Sequence, residues 1–322
     1  MASISTMFWH NTQSKYSWPW RFMWFKNCFI YYLSSKFEHS QDSLEESLNN
    51  QSFKEIGRQE TDAFGWVSPL GRGYDSLVYG ANSAYLLAMR KEQKVIPASM
   101  VKEALEDRVA QIEEAEGRKV YGKEKASLKD DILSLLKPKA LTKSSHTYGY
   151  IDTRHELLVV NAGSASAADA FVELLIESLG TLGAVRLMGE ESPGVIMNQW
   201  VLGDLPENLE LTGQFDLQDP KDDRVIKIKG EQDLELVKEL LDDGFWVQKM
   251  GIRRAEEFSA VLSSDLCLKS IKFDDELLKE NDEIDSQDKI ARIDADFVLM
   301  TQTMAQFIKE LMQHFKVNTD KE

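Results

Sequence analysis

Apolar positions along the chain recur with different periods, and those periods predict its elements. Residues 24–33 alternate, yet nearly every position is apolar or aromatic, as in a strand of a mostly covered sheet. A short helix is expected over 41–50 and a turn-rich connector at "GWVSPLGRG" (65–73). A second strand is expected over 84–90, after which "KEQKVIP" carries the chain out to Pro97. Two helices follow. In the first, capped by Ser99, Val101, Leu105, Val109 and Ile112 form one narrow stripe on a highly charged surface. The second is expected to open with a capping box, Ser127 to Asp130, to carry Leu128, Ile132, Leu135 and Leu136, and to stop at Pro138.

Residues 148–160, "YGYIDTRHELLVV", read as a hairpin turning near Thr153–Glu156. The strongest helix signal is "GSASAADAFVELLIESLG". Ser166 and Asp169 form a capping box, Phe171, Leu174, Leu175 and Leu179 make the buried face, and Gly180 ends it. Beyond Gly189, turns alternate with short strands. Val225 and Ile228 are expected near the core, with Ile226 a third candidate, while Lys227 and Lys229 share one face. A helix over 231–243 follows, then strands over 255–262 and 266–273. "ARIDADFVLM" leads as a strand into a helix over 301–315 that buries Met304, Phe307, Ile308, Leu311 and Phe315. The expected fold is α+β, with mixed antiparallel sheets and a projecting helical hairpin. Residues 23–97 with 147–189 would form a central module and 98–146 the helical tip. Residues 190–322 would form a C-terminal base module with its return helix.

Residues 1–22 carry four aromatics among their last seven positions, no acid and no continuous apolar core. They read as an unstructured extension upstream of Met23, with a membrane-surface segment as the alternative. The chain has no 18-residue apolar stretch. Cys28 and Cys267 lie far apart in apolar surroundings, as buried thiols in a reducing cytosol do.

Charge changes the picture. The formal net charge is -16, yet residues 118–143 hold eight basic residues (Arg118, Lys119, Lys123, Lys125, Lys129, Lys137, Lys139, Lys143) against three acids. Residues 204–223 hold seven acids and one Lys, and 273–296 hold ten acids against three basic residues. A basic run is commonly a solvated helix face. Segregation on this scale also suits a polyanionic partner, and two helices with such narrow stripes have little core of their own to stabilise.

Chemistry-bearing motifs are sparse. The five histidines are dispersed, none at metal spacing with a cysteine, and no phosphate-binding loop is present. The serines of "GSASA" are better used as helix caps. In "IDADF", Asp294 and Asp296 on one strand face could hold a divalent ion for phosphoryl transfer, completed by Asp274, Asp275 or Asp282. The same spacing also occurs on any solvated edge strand.

"MWFKN", "GWVSPLG", "RKEQKVIP", "SLKDDILSLLKPKA", "YIDT", "VIKIKGEQDL", "LKSIKFDDEL" and "DADFVLMT" occur in an order that resembles the bacterial recombination-associated RdgC family, from Met23 almost to the C-terminus. The resemblance implies a non-enzymatic, cofactor-free, nucleoid-associated cytoplasmic protein. Two curved, multi-module subunits would close a ring-shaped homodimer around duplex DNA, bound with little sequence preference, and restrain recombinase filaments. It implies DNA contacts at Lys94, Lys129, Lys139, Lys227, Lys229 and Gln232, and a dimer gate at Leu141 with Lys119 and Tyr121. Two departures stand out. Leu141 replaces a Phe that family members can carry, and "KIKGEQ" gains a residue and an acid, Glu231, relative to "RAKKQ". An assembly scaffold and, behind it, a divalent-metal nuclease are the alternative readings.

Overall fold

The computed structural model describes residues 23–230, 233–281 and 288–318. Seven strands form the first sheet: β1 (Phe29–Leu33), β2 (Asp62–Val67), β3 (Val78–Ala81), β4 (Ala84–Val95), β5 (Leu141–Asp152), β6 (Leu157–Asn161) and β7 (Ala184–Arg186). Their order is β2-β4-β5-β6-β1-β7, with β3 also paired to β4. Every pairing is antiparallel. Alternation sorts the sheet's side chains to two cores. Phe29, Tyr31, Trp66, Leu87, Met89, Ile151, Leu158 and Val160 pack with helices α1 (Gln41–Asn49) and α4 (Ala165–Leu179). Ile30, Leu86, Tyr150 and Val159 face the C-terminal half of the chain.

The residues expected to form a helical tip are an excursion between β4 and β5. These strands pair from Ala84↔Asp152 to Val95↔Leu141, and the chain between Val95 and Leu141 folds as α2 (Ala98–Glu116) and α3 (Gly122–Leu136). The sheet therefore includes 141–146, and the two helices lie within 98–136. Val101 is the buried residue of α2 and Ile132 that of α3, so the hairpin contributes little core. Both expected caps are displaced. Pro97 precedes α2, whose start is one residue ahead of Ser99, and no side chain caps it. α3 starts after the extended Tyr121, which leaves Ser127 and Asp130 in the helix interior.

The second sheet has the order β12-β11-β10-β8-β9. Its strands are β8 (Glu210–Gln218), β9 (Val225–Lys229), β10 (Trp246–Arg254), β11 (Phe258–Ser263) and β12 (Leu268–Phe273). Short helices α5 (Pro193–Gln199), α6 (Leu234–Asp242) and α7 (Asp275–Lys279) accompany it. One long helix, α8 (Lys289–His314), joins the two halves. Its Phe297 ring stands 6.0 Å from Tyr150 and 6.2 Å from Tyr79 of the first sheet, and its Phe307 lies 5.0 Å from Phe258 of the second. Among the described residues, no helix is long and apolar enough to cross a membrane.

The structure corrects several expectations. "IDADF" is helical, because Asp288 caps α8 through the Ala291 N–H and the apolar stripe begins at Ile293. At about 100° per residue, Asp294 and Asp296 then point roughly 200° apart instead of sharing a face. The connector at 65–73 gives its first three residues to β2, where Gly65 lets the backbone of Phe53 lie against the strand. Ser164, not Ser166, caps α4. Val225 is exposed, because β9 is an edge strand and only Ile228 reaches the core fully.

Candidate nucleic-acid interface

The five-stranded sheet has one greasy face and one basic face. Phe215, Leu217, Ile228, Val247, Met250, Ile252, Phe258 and Leu262 pack on α8. Alternation sends the intervening residues to the other side. Cross-strand register lines them up: Lys229 faces Gln214, Lys227 faces Asp216, Asp216 faces Lys249, Glu210 faces Arg253, Ser259 faces Lys272, and Val261 faces Lys269. Five strands about 4.8 Å apart put roughly 19 Å between β9 and β12. A duplex lying that way passes about eleven phosphates over the face, at one charge per roughly 1.7 Å.

The six cations of this face differ in how free they are. Lys249 donates to the Asp216 carboxylate at 3.2 Å, and Arg253 pairs with Asp274 at 3.3 Å. Lys269 lies over the Phe29 ring, its ammonium 5.4 Å from the centroid. Among the described residues, Lys227, Lys229 and Lys272 have no carboxylate within ion-pair distance, and all three are exposed. Sequence reasoning found Lys227 and Lys229 and missed the other four, which come into line only through strand pairing. Gln232 and Glu231 lie outside the described residues.

The remaining sequence-predicted residues sit elsewhere. Lys94 is buried, and its ammonium donates to the Gly57 and Arg58 carbonyls, fastening that segment to β4. These two carbonyls already engage its ammonium within the protein. Lys129 and Lys139 are exposed on and just after α3, as is Lys119 at the hairpin's far end. Arg118 is clamped between Glu116 and Glu124 at 2.6–2.7 Å, which cancels its charge locally. Three apolar side chains stand out into solvent on this tip: Tyr121 (73% exposed), Leu135 (71%) and Leu141 (82%). A groove of about 330 Å³ at the hairpin root is lined by Val95, Met100, Leu136, Lys139 and Leu141 among others.

The acids considered for metal chemistry are engaged separately. Asp294 accepts from the Tyr79 hydroxyl at 2.7 Å, while buried Asp296 accepts from Asn281 at 3.0 Å and pairs with Arg292 at 3.5 Å. Asp274 and Asp275 begin α7, and Asp282 lies outside the described residues. Among the described residues, no group of three or more His, Cys, Asp or Glu is placed to hold a metal ion.

Fold and face together define an α+β protein of two antiparallel sheets joined by one long helix, with a basic sheet face and two consecutive helices between β4 and β5. The family model described as "Putative exonuclease, RdgC" matches residues 23–318, and the chain belongs to the RdgC family. It is 39% identical over 294 residues to the recombination-associated protein RdgC of Tolumonas auensis, covering 90% of this chain and 97% of that protein. It is 38% identical over 292 residues to the protein of the same name from Aeromonas hydrophila, covering 90% and 96%. With that of Pseudoalteromonas atlantica it shares 34% identity over 303 residues, covering 93% and 100%.

Proposed function

We propose that this protein binds duplex DNA without sequence preference, as a ring-shaped homodimer, and restrains recombinase-promoted strand exchange by occluding the duplex. The observation that carries the reading is the basic outer face of the five-stranded sheet in a chain whose net charge is -16. Flat rows of lysine on strands meet phosphates by charge, and counterion release makes such binding salt-dependent and indifferent to sequence. The net acidity of the chain outside that face and the basic 118–143 segment disfavours DNA elsewhere. The relatives' name, recombination-associated protein, agrees with a substrate of this kind.

Closure of the ring would use the tip. Leu141, Leu135 and Tyr121 are too exposed for a surface that stays in water, and the groove at Val95, Met100 and Leu136 offers them a seat on a second copy. A two-fold contact there would place Lys119, Lys129 and Lys139 beside the site of DNA entry. The protein would act in the cytoplasm, on the nucleoid, without a cofactor and without catalysis. Asp294 and Asp296 suit the last point, since each already has a protein partner and they point apart. The test is duplex binding across unrelated sequences, with dimer mass and inhibition of strand exchange measured on the same samples. Binding that varies little with sequence and tracks inhibition supports the reading. A dimer that ignores DNA would leave an assembly scaffold, and magnesium-dependent cleavage would restore the nuclease.

A further inference from the structure

Asp216 occupies the middle of the basic face. Its strand β8 lies between β9 and β10, and in register it stands opposite Lys227 on one side and Lys249 on the other. Directly opposed residues of an antiparallel pair have Cβ atoms about 4.5–5.5 Å apart, so this position is flanked by two lysine-bearing positions. It is largely covered, at 13% side-chain exposure, and takes the Lys249 ammonium at 3.2 Å. Lys227 has no such contact and stays exposed. The neighbours of Asp216 on β8 and on the same face are Gln214 and Gln218, so no second carboxylate adjoins it along that strand face.

We propose that Asp216 is an internal competitor for phosphate: it holds Lys249 in a closed pair and so sets the affinity and salt sensitivity of the face. This rests on the reading of the face as a duplex-binding surface. A carboxylate offers a lysine the same kind of acceptor as a phosphate oxygen, already in place and without displaced counterions. A phosphate arriving over β8 and β10 must displace Asp216 to reach Lys249, while Lys227 and Lys229 accept it at once. The face then grips duplex DNA with fewer contacts than its lysine count suggests, which keeps a sequence-blind binder able to move along the duplex. Removing the carboxylate adds a contact without adding a base.

The experiment compares full-length wild type, Asp216→Asn, Lys249→Gln and Lys227→Gln for binding to one random-sequence duplex from 50 to 200 mM salt. Each phosphate contact contributes about 0.9 to the slope of log affinity against log salt. Asp216→Asn is expected to steepen the slope by about 0.9, so that the ratio of affinities at 50 and 200 mM grows about 3.5-fold. Lys249→Gln alone is expected to leave the slope nearly unchanged, and Lys227→Gln to flatten it by about 0.9. The proposal is overturned if Asp216→Asn binds as wild type does, or if Lys249→Gln flattens the slope as much as Lys227→Gln. The Lys249→Gln arm decides the question even if Asp216→Asn fails to fold. Failure of the underlying reading looks different: wild type does not bind, or Lys227→Gln changes nothing.

Discussion

Val95 and Leu141 face each other as the last register pair of the β4–β5 ribbon, and the whole helical hairpin lies between them in sequence. A hairpin grafted between two paired residues can be removed without breaking the sheet. Replacing residues 96–140 with a two-residue Asn-Gly turn is therefore expected to leave a folded body, because Asn-Gly favours the type I′ geometry such ribbons accept. Thermal unfolding of the shortened chain should remain cooperative, with loss of the dimer mass proposed to depend on the tip.

Leu141 contributes almost nothing to the monomer it belongs to, at 82% exposure. Leu141→Asp should shift unfolding free energy by no more than about 0.5 kcal/mol, the usual range for surface changes. The same change should weaken dimerisation in sedimentation velocity and shorten retention on covalently closed circular duplex more than on short linear duplex.

Asp294 and Asp296 separate two ideas cleanly. As structural acceptors, they should matter to stability and not to DNA. Asp296→Ala removes the buried carboxylate that accepts from half-buried Asn281 and pairs with half-buried Arg292, and should cost about 1–3 kcal/mol in denaturant titration. Duplex affinity of the folded variant should equal that of wild type, and added magnesium or manganese should change neither.

Phe297 holds the two halves of the chain together through its ring contacts with Tyr79 and Tyr150. Phe297→Ala should cost about 3–5 kcal/mol, as large aromatic truncations in closed cores do. A drop of that size in one cooperative transition is expected. Two separate transitions would mean that α8 does not couple the sheets.

Both thiols should be silent in the native state. Burial pushes the Cys267 thiol up to about 12 and raises Cys28 further, so thiolate is scarce at neutral pH. A chromogenic disulfide reagent at pH 8 should label neither until denaturant opens the core, and then both together.

Much of the fold was legible where one period dominated. The stripe of Phe171, Leu174 and Leu175 marked α4, and Thr153–Glu156 marked the turn between β5 and β6. The reading failed where tertiary packing overrode local signals. "IDADF" looks like alternation over five residues, but its apolar positions Ile293, Phe297, Met300 and Met304 continue a helical stripe that buries against both sheets. Strand β10 carries Lys249 and Arg253 among apolar residues, and nothing local shows that their partners are Asp216 and Asp274. The basic face was half visible for the same reason: Lys227 and Lys229 sit together in sequence, while Lys272 joins them only across three intervening strands. Lys94 shows the converse, since a lysine in a motif gives no sign that backbone carbonyls hold its ammonium.

The measurement that tests the central claim most directly is the salt dependence of duplex binding by wild type and by Lys227→Glu/Lys229→Glu. Wild type should lose affinity steeply between 50 and 200 mM salt, and the double variant should show a slope flatter by at least about 1.8, two phosphate contacts' worth. Equal slopes and affinities for the two proteins would contradict the account, and the basic face of the five-stranded sheet would not be where DNA binds.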